Sequence, residues 1–476
     1  MTLNDAIDRL WDKTLPAFRQ RRTWEKGRTL LYGALTCLRR HTVTGLLCAS
    51  NQQFGDWSAA YRIFGRKRMD PELVWSPIRK AVFDQLSSDA PIVASLDDTL
   101  VRKRGRKVSG TSWKRDPMGP HFCANFVWAQ RFLQISLLLA DGTRRGSARA
   151  VPVDFTHAPT APKPRKGAPP QAWEQYRQLQ SQRRIAAVAA QRLAHLREQL
   201  NQEEAMRGRQ LVLAVDGGYT NKTLCRQVPE GTTLIGRIRK DAKLFSAPCT
   251  PAKSTGRPRF YGERLLTPEE LREDERVVWT TVKAYAAGCV HDFEVKTLES
   301  VRWSGTGNID VRLLVIRPLA YRPRKGARLL YRDPAYLICT DPQLPLETLL
   351  QAYLWRWQIE VNFRDEKTLM GMGEAQMRTE QSVAQAPMFI AASYAILQLG
   401  AAQAGVTEHG LPMPKWRQHQ PPTRCSTGAL INQLRAEMWG KALGLPLHGF
   451  GYLNRRTRTG LNPFNQVASA VCYALK

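Results

Sequence analysis

Hydrophobic and polar positions follow three successive rhythms along this chain. Up to about residue 90 the rhythm is helical. Residues 23–39 place Leu30, Leu31, Leu35 and Leu38 among polar neighbours. Trp57, Ala60, Tyr61 and Phe64 recur at i, i+3, i+4 and i+7, the spacing of a buried helix face. The stretch 42–64 reads either as a helix-turn-helix whose basic end (Arg62, Arg66, Lys67, Arg68) meets DNA, or as a plain helical bundle with a solvated charged face.

Strand-like patterning follows. An apolar run at 91–96 leads into Asp97-Asp98-Thr99. Aromatic and aliphatic residues fill 125–139, Asp141-Gly142 signals a turn, and 148–155 is a third strand, together a meander. Five prolines within 157–170 mark an extended linker. Residues 173–208 read as helix, with Ile185, Val188, Leu193, Leu196 and Leu200 on one side. The short apolar strand 211–215 then runs into Asp216-Gly217-Gly218-Tyr219.

From 238 to 345 the pattern is β, with strands expected at 277–284, 293–303, 311–318 and 335–340. Basic loops between them hold Arg322, Arg324, Lys325, Arg328 and Arg332. Helix returns from 346 to about 367 and from 384 to 402. A last helix, 427–443, is opened by Ser426 as N-cap and followed by Arg455, Arg456 and Arg458. The expected divisions are a helical DNA-binding region (1–90), the first part of an α/β core (91–237), a β-rich insertion (238–345), the second part of the core (346–405) and a helical, basic C-terminal region (406–476).

Charge narrows the function. Among 476 residues, 71 Lys and Arg stand against 41 Asp and Glu, a net charge of +30 and a pI near 10.2. That excess points to a polyanion, nucleic acid before anionic membrane. The most apolar stretch, 384–402, is interrupted by Gln385, Pro387 and Gln398 and reads as a core helix. The N-terminus shows no signal-peptide pattern. Nine cysteines are scattered singly without Cys-x-x-Cys, which argues against structural zinc and fits a reducing cytoplasm.

The chemistry lies in three distant stretches. Two acids end apolar strands: Asp98, or its neighbour Asp97, and Asp216. The third, Glu360, lies within Tyr353-Leu-Trp-Arg356-Trp-Gln-Ile-Glu360-Val-Asn-Phe-Arg364-Asp-Glu-Lys367. On one continuous helix Tyr353, Arg356, Glu360, Arg364 and Lys367 would fall within roughly 80° of one another. One carboxylate would then be bracketed by cations and a phenol. Three converging carboxylates suit one or two hard cations beside a phosphodiester. A salt-bridged, partly buried helix is the plainer reading of the same stripe.

The order Asp98, Asp216, Glu360, with Tyr-x2-Arg-x3-Glu-x6-Lys around the Glu, resembles the bacterial insertion-sequence DDE transposases of the type-four superfamily, in its branch numbered seven hundred and one. The resemblance covers roughly residues 90 to 400 in layout. It implies an α/β, RNase H-like catalytic core interrupted by a β-rich insertion, with helical N- and C-terminal regions. It favours Asp98, the residue directly before Thr99, as first ligand, with Asp98, Asp216 and Glu360 holding Mg²⁺ or Mn²⁺ in its place. It implies that Tyr353, Arg356 and Lys367 grip DNA phosphates, with Arg237, Arg239 and Lys240 as further backbone contacts. Family members stack a flipped base on an aromatic near the end of the insertion, where this chain offers Tyr336 instead of tryptophan.

The implied activity is cut-and-paste transposition. Terminal inverted repeats in double-stranded DNA are bound, both strands are cut through a hairpin, and the 3′ ends are joined to target DNA. Paired ends imply a homodimer. The apolar stripe Ile431, Leu434, Met438 and Ala442 is either its interface or packing within the chain. The rival readings are an RNase H-like nuclease without strand transfer and a non-enzymatic, transposase-derived DNA-binding protein.

Overall fold

The computed structural model describes all residues except 88–89, 117, 121, 141–145, 249–259, 323–325, 407–410, 412–413, 418–423, 443–469 and 473–476. The expected turn at Asp141-Gly142, the basic residues Arg324 and Lys325, and Arg455, Arg456 and Arg458 therefore lie outside the described residues. The fold is mixed α/β around one eleven-stranded sheet.

Five helices open the chain: α1 (Leu3–Asp12), α2 (Arg21–Thr36), α3 (Val43–Ala49), α4 (Ser58–Gly65) and α5 (Pro71–Phe83). Thr2 and Asp5 form a capping box on α1, and Asp70 caps α5. Gly33 lets α2 meet α3, because a Cβ there would lie 2.5 Å from the Leu46 carbonyl oxygen. The buried face of α4 is Ala60, Ile63 and Phe64. Trp57, expected on that face, precedes the helix and is 59% exposed. Residues 50–57 separate α3 from α4, a longer connection than the three- or four-residue turn of a helix-turn-helix.

The central strands are β1 (Ile92–Arg102), β2 (Ser112–Arg115), β3 (Phe126–Ala140), β4 (Ala148–His157), β5 (Leu211–Val215) and β6 (Thr232–Arg237). The expected helix over 173–208 is broken by extended backbone at Arg184 into α6 (Pro170–Gln182) and α7 (Ile185–Gln202), with α8 (Lys222–Cys225) after β5. In space the order is β4-β3-β1-β5-β6. β1, β5 and β6 are parallel, and β3 is antiparallel to both β1 and β4. The apolar runs of β1 and β5 are buried because helices cover both faces of this parallel centre.

The later strands continue the same sheet. They are β7 (Leu244–Phe245), β8 (Thr280–Ala286), β9 (Cys289–Trp303), β10 (Asp310–Ile316), β11 (Ala320–Tyr321), β12 (Leu330–Tyr331) and β13 (Ala335–Cys339), with α9 (Pro268–Glu273) among them. β13 pairs antiparallel with β6, and β10, β9 and β8 follow outward, while β11 and β12 form a separate ribbon. The chain closes with α10 (Leu346–Trp355), α11 (Gln358–Thr368), α12 (Glu380–Gln403) and α13 (Thr427–Ala442).

α12 is the one described helix long and apolar enough to cross a bilayer, and 94% of its apolar window is buried inside the protein. It is a core helix, apolar on every side. Its Phe389 meets Trp11 edge-on at 6.0 Å and Phe64 at 5.5 Å, so the N-terminal helices share its core. α13 packs within its own chain. Leu430, Ile431 and Leu434 are buried, Glu437 accepts hydrogen bonds from the Leu3 and Asn4 amides, and Arg435 donates to the Thr36 and Cys37 carbonyls. The described cysteines are all free.

Candidate active site

β1 and β5 run side by side, and their last parallel pair is Leu96 with Val215. The next residues are Asp97 and Asp216, so the register sets these two acids abreast, Asp97 midway along β1 and Asp216 just past the end of β5. Parallel strands lie about 4.8 Å apart. The Asp216 loop folds back on β6: Thr220 Oγ1 donates to the Asp216 carbonyl at 3.3 Å and crosses over Gly236. A Cβ at Gly236 would lie 2.2 Å from that oxygen, which is why this strand position lacks a side chain.

Adjacent strand residues point to opposite faces. Asp97 faces the junction of α10 and α11, where its Oδ2 lies 3.9 Å from Arg356 Nη1. Asp98 faces the other way. Tyr219 Oη donates to its Oδ1 at 2.6 Å, and Arg131 Nε forms an ion pair with its Oδ2 at 3.0 Å. Asp98, favoured from the resemblance, is thus engaged on the opposite face of β1 from Asp97, which lies towards Arg356.

The expected single helix from 346 to 367 is broken. Arg356 and Trp357 form a turn between α10 and α11, although both keep right-handed helical backbone angles. The amides of Ile359 and Glu360 bond three residues back, to Arg356 and Trp357. Across this turn Tyr353, Arg356 and Glu360 still keep together. Arg364 is 65% exposed in its side chain and pairs with Asp365. Glu360 sits in the first turn of α11, where the helix dipole favours negative charge. Asn362 Nδ2 donates to Ser136 Oγ of β3 at 3.3 Å, and Tyr394 Oη of α12 donates to Asn362 Oδ1 at 3.1 Å, so α11 is bolted to sheet and core.

Arg356 links the carboxylates. The same Nη1 lies 3.3 Å from Glu360 Oε1 and 3.9 Å from Asp97 Oδ2, so those two oxygens are no farther apart than the sum of the two lengths. Its Cζ is 5.9 Å from the centre of the Tyr353 ring. The side chain is 11% exposed, and its buried Nε has no partner. Burial, then the neighbouring charges of Asp98 and Asp216, push the Asp97 carboxyl up to about 7. Burial and Asp216 also raise Glu360, against the pull of Arg356. Tyr353 is raised by burial and lies within the fields of Arg356, Arg237 and Asp216.

The remaining expected residues divide. Arg237, exposed at the end of β6, lies beside Tyr353. Lys367 is held below the usual lysine range by burial and senses Arg102, Glu366 and Asp98. Arg239 is spent on Asp241, with hydrogen bonds of 2.8 and 2.9 Å. Lys240 lies towards Asp241 and Glu269. Tyr336 is 5% exposed and gives its hydroxyl to Glu269, so its ring belongs to the core beneath the outer strands and not to an open platform. Among the described residues no three acidic, imidazole or thiol groups are close enough as placed to hold one metal ion.

A family model for the DDE superfamily endonucleases matches residues 14–308. The chain belongs to the DDE superfamily endonucleases. The match spans more than half of the chain, takes in α2 to α5, Asp97, Asp98 and Asp216, and ends before Tyr353, Arg356, Glu360 and Lys367. Membership makes this a nuclease- or transposase-type protein acting on DNA, in a family that uses divalent metal ions. No curated protein matches the chain. Tyr219, Arg131 and Asn362 were not singled out from the sequence for these roles. A tyrosine three residues after a strand-ending Asp was the one visible hint.

Proposed function

We propose that this DDE endonuclease is a metal-dependent DNA transposase whose cutting and joining site is Asp97, Asp216 and Glu360. The register of β1 on β5 carries the assignment, because it places Asp97 beside Asp216 on the side where Arg356 also reaches Glu360. The donor set fits a hard divalent cation. It offers only carboxylate oxygens, from three separate elements, and burial with repulsion from neighbouring acids raises the proton affinities of Asp97 and Glu360. Mg²⁺ or Mn²⁺ bound there would act as Lewis acid on phosphodiester oxygens and acidify a water or 3′-hydroxyl.

The chain's own groups do the rest. Asp97 and Asp216 form the rigid side, fixed by strand backbone. Glu360 forms the adjustable side, on a helix anchored through Asn362. Arg356, turned from the carboxylates, presents a planar fork to a phosphate. Tyr353 and Arg237 flank that phosphate, and Lys367 supplies a point charge towards the Asp98 side. The function extends to cut-and-paste movement between terminal inverted repeats and target DNA, with hairpin ends and two copies of the chain holding two ends, as the transposase resemblance implies.

A supercoiled plasmid carrying the coding sequence and its flanking DNA tests this. Nicking at the flanks should require Mg²⁺ or Mn²⁺ and vanish in Asp97→Asn, Asp216→Asn and Glu360→Gln, while Asp98→Asn keeps measurable cutting. A precut 3′-hydroxyl end should join a target plasmid. Cutting that survives Asp97→Asn would overturn the assignment. Nicks without joined products would make the protein a nuclease only, and binding without cutting a non-enzymatic one.

A further inference from the structure

β3 outruns its neighbour. β1 ends at Arg102, opposite Ala129, and the Lys103 amide makes one last bond to the Trp128 carbonyl at 2.9 Å. Beyond that, β3 pairs only with β2, as a two-stranded ribbon projecting past the carboxyl end of β1. Trp113 pairs with Trp128 and Arg115 with Phe126, so alternation puts all four side chains on one ribbon face. The same alternation runs down β3 through Gln130 and Phe132 to Gln134, which pairs with Asp97. The aromatic face is therefore continuous with the sheet face that carries Asp97. Six residues separate the two levels, about 20 Å at strand rise.

That face is costly in water. Trp113 is 66% exposed and Phe126 56%, and Trp113 meets Trp128 edge-on at 5.5 Å. Between residues 102 and 128 seven Lys and Arg accompany one acid, Asp116, which is already paired with Arg102. Such a surface repels a second copy of a chain that carries +30 overall. Cations alone would suit any duplex. Exposed rings gain from bases whose π-faces are uncovered, and paired, stacked bases offer none.

We propose that the β2–β3 ribbon holds DNA with unpaired bases, about 20 Å along β3 from the carboxylates, with Trp113 and Phe126 stacking on them and Arg115 on the backbone. The proposal rests on the DNA-cutting function proposed above.

Binding of the full chain in EDTA to a fully paired random-sequence duplex, and to the same duplex with a central unpaired bubble, tests it. The unaltered chain should prefer the bubble. The double variant Trp113→Ala/Phe126→Ala should lose about tenfold on the bubble and little on the paired duplex, with its salt dependence unchanged. Arg115→Ala should weaken both and lower the salt slope by about one. Trp113→Phe/Phe126→Tyr, which keeps two rings, should retain the preference. Equal loss on both probes, no loss on either, or a change in self-association by sedimentation would overturn the ribbon assignment. A chain that nicks DNA normally yet shows no bubble preference overturns it alone, whereas a chain that binds neither probe overturns the DNA-cutting reading with it.

Discussion

Tyr219 donates a 2.6 Å hydrogen bond to Asp98, and so ties the loop that follows Asp216 to the strand that carries Asp97. The Tyr219 amide bonds back to the Asp216 carbonyl at 3.0 Å, which closes the link. Partners of this kind orient metal-binding groups without touching the metal, and losing one typically costs ten- to a hundredfold in metal affinity. Tyr219→Phe should therefore raise the Mn²⁺ concentration for half-maximal nicking about tenfold, with melting behaviour close to that of the unaltered chain. An unchanged Mn²⁺ requirement would remove Tyr219 from the site's architecture.

Asp97 and Asp98 should also differ in how they couple metal to pH. Burial and two neighbouring acids lift Asp97 up to about 7, so near neutrality a bound cation must displace a proton from it. Mn²⁺ affinity should rise with pH through about 7, and titration calorimetry in buffers of different ionisation enthalpy should detect proton release on binding. Asp98→Asn removes one of the two acids but not the burial, so it should lessen that release without ending it, and Asp97→Asn should abolish it. Release that persists without the Asp97 carboxylate would place the proton elsewhere.

How much of this was legible in the sequence depends on range. Apolar runs ending in acids announced β1 and β5, the two strands that run side by side. The choice between Asp97 and Asp98 had no such signal. One residue of offset exchanges the two faces of a strand, and only the long-range register of β1 on β5 sets which of the two acids lies abreast of Asp216. The break of the expected single helix into α10 and α11 has a local cause, the tightened turn at Arg356 and Trp357, which hydrophobic periodicity does not report. An aromatic in a strand looks the same whether its sheet face is open or, as for Tyr336, packed beside α9, where its hydroxyl reaches Glu269. Composition located the cations but not their use, as Arg239 shows by spending its charge on Asp241.

His157 should make the fold acid-sensitive. Its ring stacks on Phe132 at 4.9 Å, its Nε2 is buried without a partner, and burial holds its pKa down to about 4 from an ordinary 6.5. The native state refuses a proton that the unfolded chain accepts. Stability should therefore fall as pH drops through 6.5 and stop falling, on this account, below about 4. The full effect is on the order of 3 kcal/mol. Urea midpoints measured at pH 7 and pH 5 should differ in the native chain, and by less in His157→Gln. Equal pH dependence in both proteins would mean that other groups control it.

Glu366 presents the opposite case. It is fully buried on α11, and neither carboxylate oxygen has a hydrogen-bond partner. Burial, with a smaller push from Asp365, raises its pKa well above the ordinary value, against the pull of Lys367. Here the unfolded chain loses a proton that the native state keeps, so the group costs stability progressively as pH rises above the ordinary carboxylate range. An unsatisfied buried polar group costs about 1–3 kcal/mol. Glu366→Leu, close in volume and needing no partner, should raise the urea midpoint at neutral pH, with a larger gain at pH 8 than at pH 5. Glu366→Gln should remove the pH dependence but recover less stability, because its amide is as unpartnered as the acid. A Glu366→Leu protein less stable than the native chain at every pH would show that the carboxylate is satisfied by a group that binds within the core.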